Sequence, residues 1–224
     1  MLLSGRLSRA QEGAALAAGC GFALAAFALL AWVAHDSYWL RHRDAWALAH
    51  ASAHRAGDLG QLAGAVAHLG DPVAQTILLL AGIAVALARG RRDAAVAGTV
   101  LVLGADLTTH FLKEALAAPR FDPLLSMRQV DANAFPSGHA TAAFSMAAAW
   151  CLFVPARHRP LVAAIGFVAA GLVAVSVVIL HHHVPSDVVG GFLVAATWAC
   201  GVCAVLQLCS SAQENQRGRA TVGT

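Results

Sequence analysis

The chain has 224 residues, 58% hydrophobic and only 12% charged, with a net charge of +3. A soluble domain carries about twice that charged fraction, and the apolar runs here approach bilayer length, so the composition excludes an ordinary water-soluble domain and reads as an integral membrane protein. The small, scattered positive charge leaves no footprint for a nucleic acid partner.

Residues 1–11 are short and basic, with Arg6 and Arg9. The run from Gly13 to Ala34 is longer than a signal-peptide core and lacks a small-residue cleavage site, so it is expected to be a retained first span. Residues 35–71 are polar and rich in histidine (His35, His42, His50, His54, His68). Apolar residues recur there at helical spacing, which predicts one or two amphipathic helices near the outer membrane surface. Asp71-Pro72 is a helix-start signal. The second span is expected over 73–88, followed by a tight basic turn at 89–93, and the third over 94–112. A polar stretch, 113–138, precedes a fourth span over 139–154. A second basic turn, 155–160, leads to a fifth span over 161–180, then the polar 181–187 and a sixth span over 188–208. The fold class is therefore all-α, a polytopic membrane domain over 1–209 with six transmembrane helices. Residues 210–224 read as a disordered cytoplasmic tail. The five cysteines lie in apolar runs without metal or disulfide spacing, and packing is their expected role.

An even number of spans puts both termini on one side. That side carries Arg6, Arg9, Arg89, Arg91, Arg92, Arg157, Arg159, Arg217 and Arg219, nine of the 15 basic residues. The positive-inside rule makes it cytoplasmic. The polar segments 35–71, 113–138 and 181–187 then share the outer face.

Those outer segments hold the chemistry. Phe135-Pro136-Ser137-Gly138-His139 ends a turn-forming stretch and starts an apolar one. Pro136 cannot continue a preceding helix, Ser137 is a good N-cap, and Gly138 lets a ligand approach the backbone. His139 lies in the first helical turn, where free N–H groups and the helix dipole suit an anion such as phosphate. Lys113 and Arg120 are two helical turns apart, a spacing that lets both point the same way, although Pro119 interrupts the helix. His183 is followed four residues later by Asp187, a carboxylate that can fix the imidazole tautomer and also cap the sixth span. Two histidines, a carboxylate, a lysine and an arginine around a helix N-terminus form a phosphoryl-transfer set. Neither a cofactor nor a metal is called for, because the contiguous His181-His182-His183 triplet is poor chelating geometry. Asp106 and His110, at i and i+4 within the third span, are expected to orient Lys113.

These stretches resemble the three signatures of the type-2 phosphatidic acid phosphatase superfamily, which also includes vanadium haloperoxidases. Its first signature is Lys, six residues, Arg-Pro; Lys113 and Arg120 match and Phe121 replaces the proline. Pro136–His139 match the second, Pro-Ser-Gly-His, in full. The third is Ser-Arg, five residues, His, three residues, Asp; Ser176, His183 and Asp187 match, with Val177 in place of the arginine. The resemblance implies a metal-independent membrane phosphatase acting on a lipid phosphate or diphosphate. Candidate substrates are polyprenyl diphosphate, phosphatidate and phosphatidylglycerophosphate, at the outer face of a bacterial inner membrane. His183 would be the nucleophile that forms a phosphohistidine, Asp187 its orienting group and His139 the general acid. Lys113, Arg120, Ser137 and Gly138 would bind phosphate. Val177 leaves open two alternatives, a lipid-dependent phosphotransferase on the same scaffold and a non-catalytic lipid-phosphate binder. If the fifth span stays helical to its end, His181 lies one turn beyond Val177 and is expected to replace part of the missing arginine.

Overall fold

The computed structural model describes the backbone of residues 9–222 and the side chains of 11–212; most of the basic N-terminal segment and the side chains of the tail arginines lie outside them. Among the described residues there are eight α-helices and no strand: α1 (Arg9–Asp36), α2 (Tyr38–Ser52), α3 (Asp58–Ala67), α4 (Pro72–Ala88), α5 (Arg92–Ala115), α6 (Gly138–Phe153), α7 (Arg159–Ile179) and α8 (Pro185–Val222). Every stretch expected to span contains a helix. Their ends follow local chemistry: Pro at the first turn of α4 and α7, a serine N-cap at α2 and α6, and Gly90 at φ +69 in the basic turn. α8 continues to Val222, so the backbone is helical where a disordered tail was expected.

Among the described residues, four helices are long and apolar enough to cross a membrane: α1, α5, α7 and α8. α4 has only 17 residues and α6 only 16, and 16 residues reach about 24 Å against a hydrocarbon core of about 30 Å. The segment from α3 to α4 passes as a span only as a pair, bent by 51° at Asp71. The histidine-rich segment thus forms two helices, within the one or two expected, but the apolar residues of α2 are not gathered on one face; the second helix, α3, leads through a short 3-10 turn into α4.

The core is built by close approach of small residues. α6 packs against α4, α5, α7 and α8. Its Phe153 is fully buried among Ala86, Leu101, Val102 and Met146. A Cβ on Gly82 of α4 or Gly98 of α5 would lie 2.3 Å from the Phe153 ring, so both glycines are needed for the helices to close on it. α1 lies along α8. Phe27 of α1 stacks on Phe135 with centroids 5.6 Å apart. α8 meets α6 at Gly191, where a Cβ would come within 2.5 Å of the Ser137 carbonyl oxygen. Gly190-Gly191 therefore permits the close packing that presses the start of α8 onto the start of α6.

Candidate active site

The beginnings of α6 and α8 meet, and the functional side chains gather at this junction. The Ser137 amide donates to the Asp187 carbonyl at 2.9 Å, a main-chain bond that ties Pro136–His139 to the His183–Asp187 segment. Ser137 caps α6, its hydroxyl accepting from the Ala140 amide at 3.4 Å. The Thr141 hydroxyl donates to the Ser137 carbonyl at 3.0 Å and accepts from Thr109 of α5 at 3.1 Å. Phe135, whose peptide bond to Pro136 is cis, is fully buried.

Asp187 is fully buried and does three things at once. Oδ2 accepts from the Val184 amide at 3.1 Å, which caps α8. The same oxygen lies 3.4 Å from His183 Nδ1, so a proton on Nδ1 faces the carboxylate and Nε2 is free. Oδ1 meets Arg120 Nη2 at 2.6 Å, a buried ion pair. The carboxylate thus caps α8 and lies beside the His183 ring at once. Arg120 Nε has no hydrogen-bond partner among the described residues, although the guanidinium is buried beneath the site with Phe135 5.8 Å from its centre. A buried, charged donor with unused capacity is poised for an anion.

Lys113 reaches the same place by another route. Its Nζ donates to the carbonyls of Asn133 and Ala134 at 2.9 and 3.4 Å, and a Cβ on Gly138 would lie 3.7 Å from its Cε. Lys113 lies within electrostatic range of both Arg120 and Asp187. The two cations do not converge along one helix, as their spacing suggested. α5 ends at Ala115, before Pro119, and Arg120 is delivered by the loop. That loop is pinned by buried Asp122. Its Oδ1 accepts from the Leu124 amide at 2.9 Å and its Oδ2 lies 3.3 Å from His42 Nδ1 of α2. Gln129 also bonds the Asp122 main chain on both sides.

His139 stands across the site, its ring centroid 6.4 Å from that of His183. Nε2 lies 3.2 Å from Asp71 Oδ1, and His68 Nδ1 lies 2.6 Å from the other Asp71 oxygen. The bonds from His68 and then His139 hold the Asp71 carboxyl below the usual carboxylate range, so it is anionic at neutral pH. A Cβ on Gly70 would lie 2.8 Å from the His139 ring, so the Gly70-Asp71 turn seats the imidazole closely. Asp71 had been read only as a helix start.

The expectations for the auxiliary residues need correction. α7 ends at Ile179 and His181 has φ +66, so Val177 and His181 do not lie one helical turn apart. The His181 Nε2 lies 2.7 Å from the Arg128 carbonyl instead. His182 is the neighbour that approaches, its ring centroid 6.5 Å from His139, and burial lowers its pKa. His110 pairs with Glu114 at 3.5 Å on an exposed face. Asp106 lines a cavity beside His139 and makes no contact with Lys113; seven residues separate them by about 10 Å along the helix. Ser176 and Val177 are buried, and the Val177 carbonyl accepts from the His182 and His183 amides at 2.9 and 3.3 Å. Among the described residues, no three His, Cys, Asp or Glu side chains are grouped to hold a metal ion.

Asp44 of α2 also escaped sequence reading. Its carboxylate accepts from the Ser186 amide at 3.1 Å and from the Ser186 hydroxyl at 2.5 Å, which anchors α2 to the start of α8. Burial pushes its pKa up to about 6. The partner lies 142 residues away, so no local pattern announces it.

No curated protein sequence matches the chain. The crystal structure of the first transmembrane PAP2 type phosphatidylglycerolphosphate phosphatase, from Bacillus subtilis, is similar at a TM-score of 0.69 and 24% identity, over 87% of this chain and 96% of that one. At that identity the likeness speaks for the fold alone. The family signal comes from the sequence. Residues 94–210, just over half of the chain, match the PAP2 superfamily, and the chain belongs to it.

Proposed function

We propose that the protein is a membrane phosphatase that hydrolyses a lipid phosphate or diphosphate through a phosphohistidine on His183. The observation that carries this reading is the Arg120–Asp187–His183 array packed against the N-terminus of α6. The Asp187 carboxylate faces His183 Nδ1, which leaves the Nε2 lone pair for attack on phosphorus. As the P–N bond forms, the P–O bond to the leaving alcohol breaks and His139 gives that oxygen a proton. Water then attacks the phosphohistidine and gives a proton to His139, and phosphate departs as the P–N bond breaks. Arg120, Lys113, Ser137 and the free amides of Gly138 and His139 stabilise charge on the equatorial oxygens. Asp71 supports the imidazolium from which His139 acts.

The test is purified full-length protein assayed in detergent for phosphate release from phosphatidate, phosphatidylglycerophosphate and polyprenyl diphosphate, with EDTA present. Release, with an acid-labile phosphoryl label that disappears in His183→Ala, supports the reading; activity that needs an added divalent ion sinks its metal-independent form. One observation favours a rival. Val177, where the family carries arginine, is fully buried and supplies no cation. Stoichiometric binding of a lipid phosphate without turnover supports a non-catalytic binder, and transfer that depends on an added acceptor supports a phosphotransferase.

The same reading places six crossings in the membrane, with α4 and α6 as its short members and His139 and His183 on the non-cytoplasmic face. A cysteine introduced between residues 53 and 57 should react with an impermeant maleimide in intact cells. Protection there, with labelling of a cysteine near residue 90, reverses the orientation.

A further inference from the structure

A cavity of about 300 Å³ opens beside the active site between α4, α5 and α6. Gly138 and His139 form one wall, so it begins where the phosphate-binding amides end. On the phosphatase reading, on which this inference rests, His139 protonates the departing oxygen. The group attached to that oxygen therefore lies on the cavity side. The opposite wall carries Asp106, an exposed carboxylate within a long apolar helix that makes no hydrogen bond or ion pair among the described residues. An ionisable side chain at such a place points to function. The neighbouring polar side chains offer no free donor. The Thr76 hydroxyl already donates to the Pro72 carbonyl at 2.7 Å and keeps only acceptor capacity, and Gln75 donates through Nε2 to the Leu69 carbonyl, its Oε1 being buried. The rest of the lining is aliphatic, with Leu79, Val102 and Leu103.

We propose that this cavity is the leaving-group subsite, and that Asp106 selects phosphomonoesters whose alcohol carries a free hydroxyl, as a glycerol head group does. An acceptor-rich wall complements a hydroxyl donor and leaves an alcohol without one unmatched. A carboxylate there also repels negative charge carried directly on the departing oxygen's other phosphorus, as in a diphosphate, more strongly than the phosphodiester of phosphatidylglycerophosphate, which lies three carbons further off.

The experiment compares matched substrates with the full-length protein in detergent micelles. Glycerol 3-phosphate against propyl phosphate is the soluble pair; phosphatidylglycerophosphate against phosphatidate is the lipid pair. The expected result is a kcat/KM about tenfold higher for the hydroxyl-bearing member. Asp106→Leu should bring the ratio close to one. Asp106→Asn, nearly the same shape without the charge, should retain part of the preference and raise turnover of prenyl diphosphate relative to the monoesters. Preference in the lipid pair assigns the subsite to a lipid head group; preference confined to the soluble pair assigns it to a free polyol phosphate. Equal rates within both pairs, or a preference that survives both Asp106 variants, overturn the subsite while leaving the phosphatase reading intact. Absence of phosphate release from every substrate removes that reading and the subsite with it.

Discussion

The site contains two histidine–carboxylate pairs in different media. His183 and Asp187 have side chains only 9% and 0% exposed, locked by a helix cap, an ion pair and a main-chain bond. His139 and Asp71 are 31% and 40% exposed, in a turn at the mouth of a cavity. The buried pair suits a nucleophile, which must meet phosphorus in one orientation, and its low-dielectric surroundings strengthen every charge interaction. The open pair suits a group that exchanges protons with leaving oxygen and water, at the cost of weaker, solvent-screened coupling. Damage to the first pair should therefore be severe, and damage to the second graded and pH-dependent.

His183→Ala is the sharpest break. Turnover should fall by at least about 10³-fold, since no other group is placed to attack; single-turnover phosphate release measures it. A fall of less than about tenfold refutes the nucleophile assignment. Next, Arg120→Ala takes the guanidinium from Oδ1 of a buried carboxylate, which should cost about 3 kcal/mol of stability, read as an earlier detergent-solubilised melt. Asp187→Asn keeps the shape and loses the charge, so turnover should drop by about 10²-fold with a smaller change in melting.

At the open pair, Asp71→Asn should lower kcat near pH 8 by about tenfold and move the alkaline limb of the pH–rate profile to lower pH. The sign follows from charge. Asp71 is anionic at neutral pH and favours protonated His139, whereas His182, His183 and Lys113, which also face that ring, oppose it. Asp106 shares the cavity wall, so the comparison is best made in its presence and absence. An unchanged limb would assign Asp71 a purely structural part. The smallest effect belongs to Asp44. Its pKa of about 6 lies above the ordinary 3.8, so the folded protein holds a proton that the unfolded chain has released. Stability from this group is full below about pH 4 and is lost as pH rises to about 6. The melting temperature of the wild type relative to Asp44→Asn should accordingly fall between about pH 4 and about pH 7.

The helices were legible because apolar runs, Pro starts and serine caps act locally. The expected and observed edges of the 73–88 and 139–154 elements differ by a single residue. The signature stretches were legible for the same reason, and His183–Asp187 lies within one turn. Contacts formed by chain crossing were not. Asp71 reaches His139 across 68 positions, and Asp44 reaches Ser186 across 142. His181 misled because helical spacing was extended past Ile179 into a left-handed turn. Arg120 reaches its carboxylate through a folded loop, so helical phase was the wrong guide to its direction.

Phe153 fixes one end of the gap whose other end is the cavity. Its ring fills the notch left by Gly82 and Gly98, so α4, α5 and α6 are riveted there, while toward His139 the same three helices stand apart. The arrangement is a wedge with a hard apex. The width at its mouth depends on what sits at the apex as well as on the residues lining the mouth. A bulkier residue at position 82 or 98 would act like a shim and spread the helices from below. The size of group admitted beside His139 can thus be tuned from the opposite end of the bundle, without touching a residue that meets phosphate.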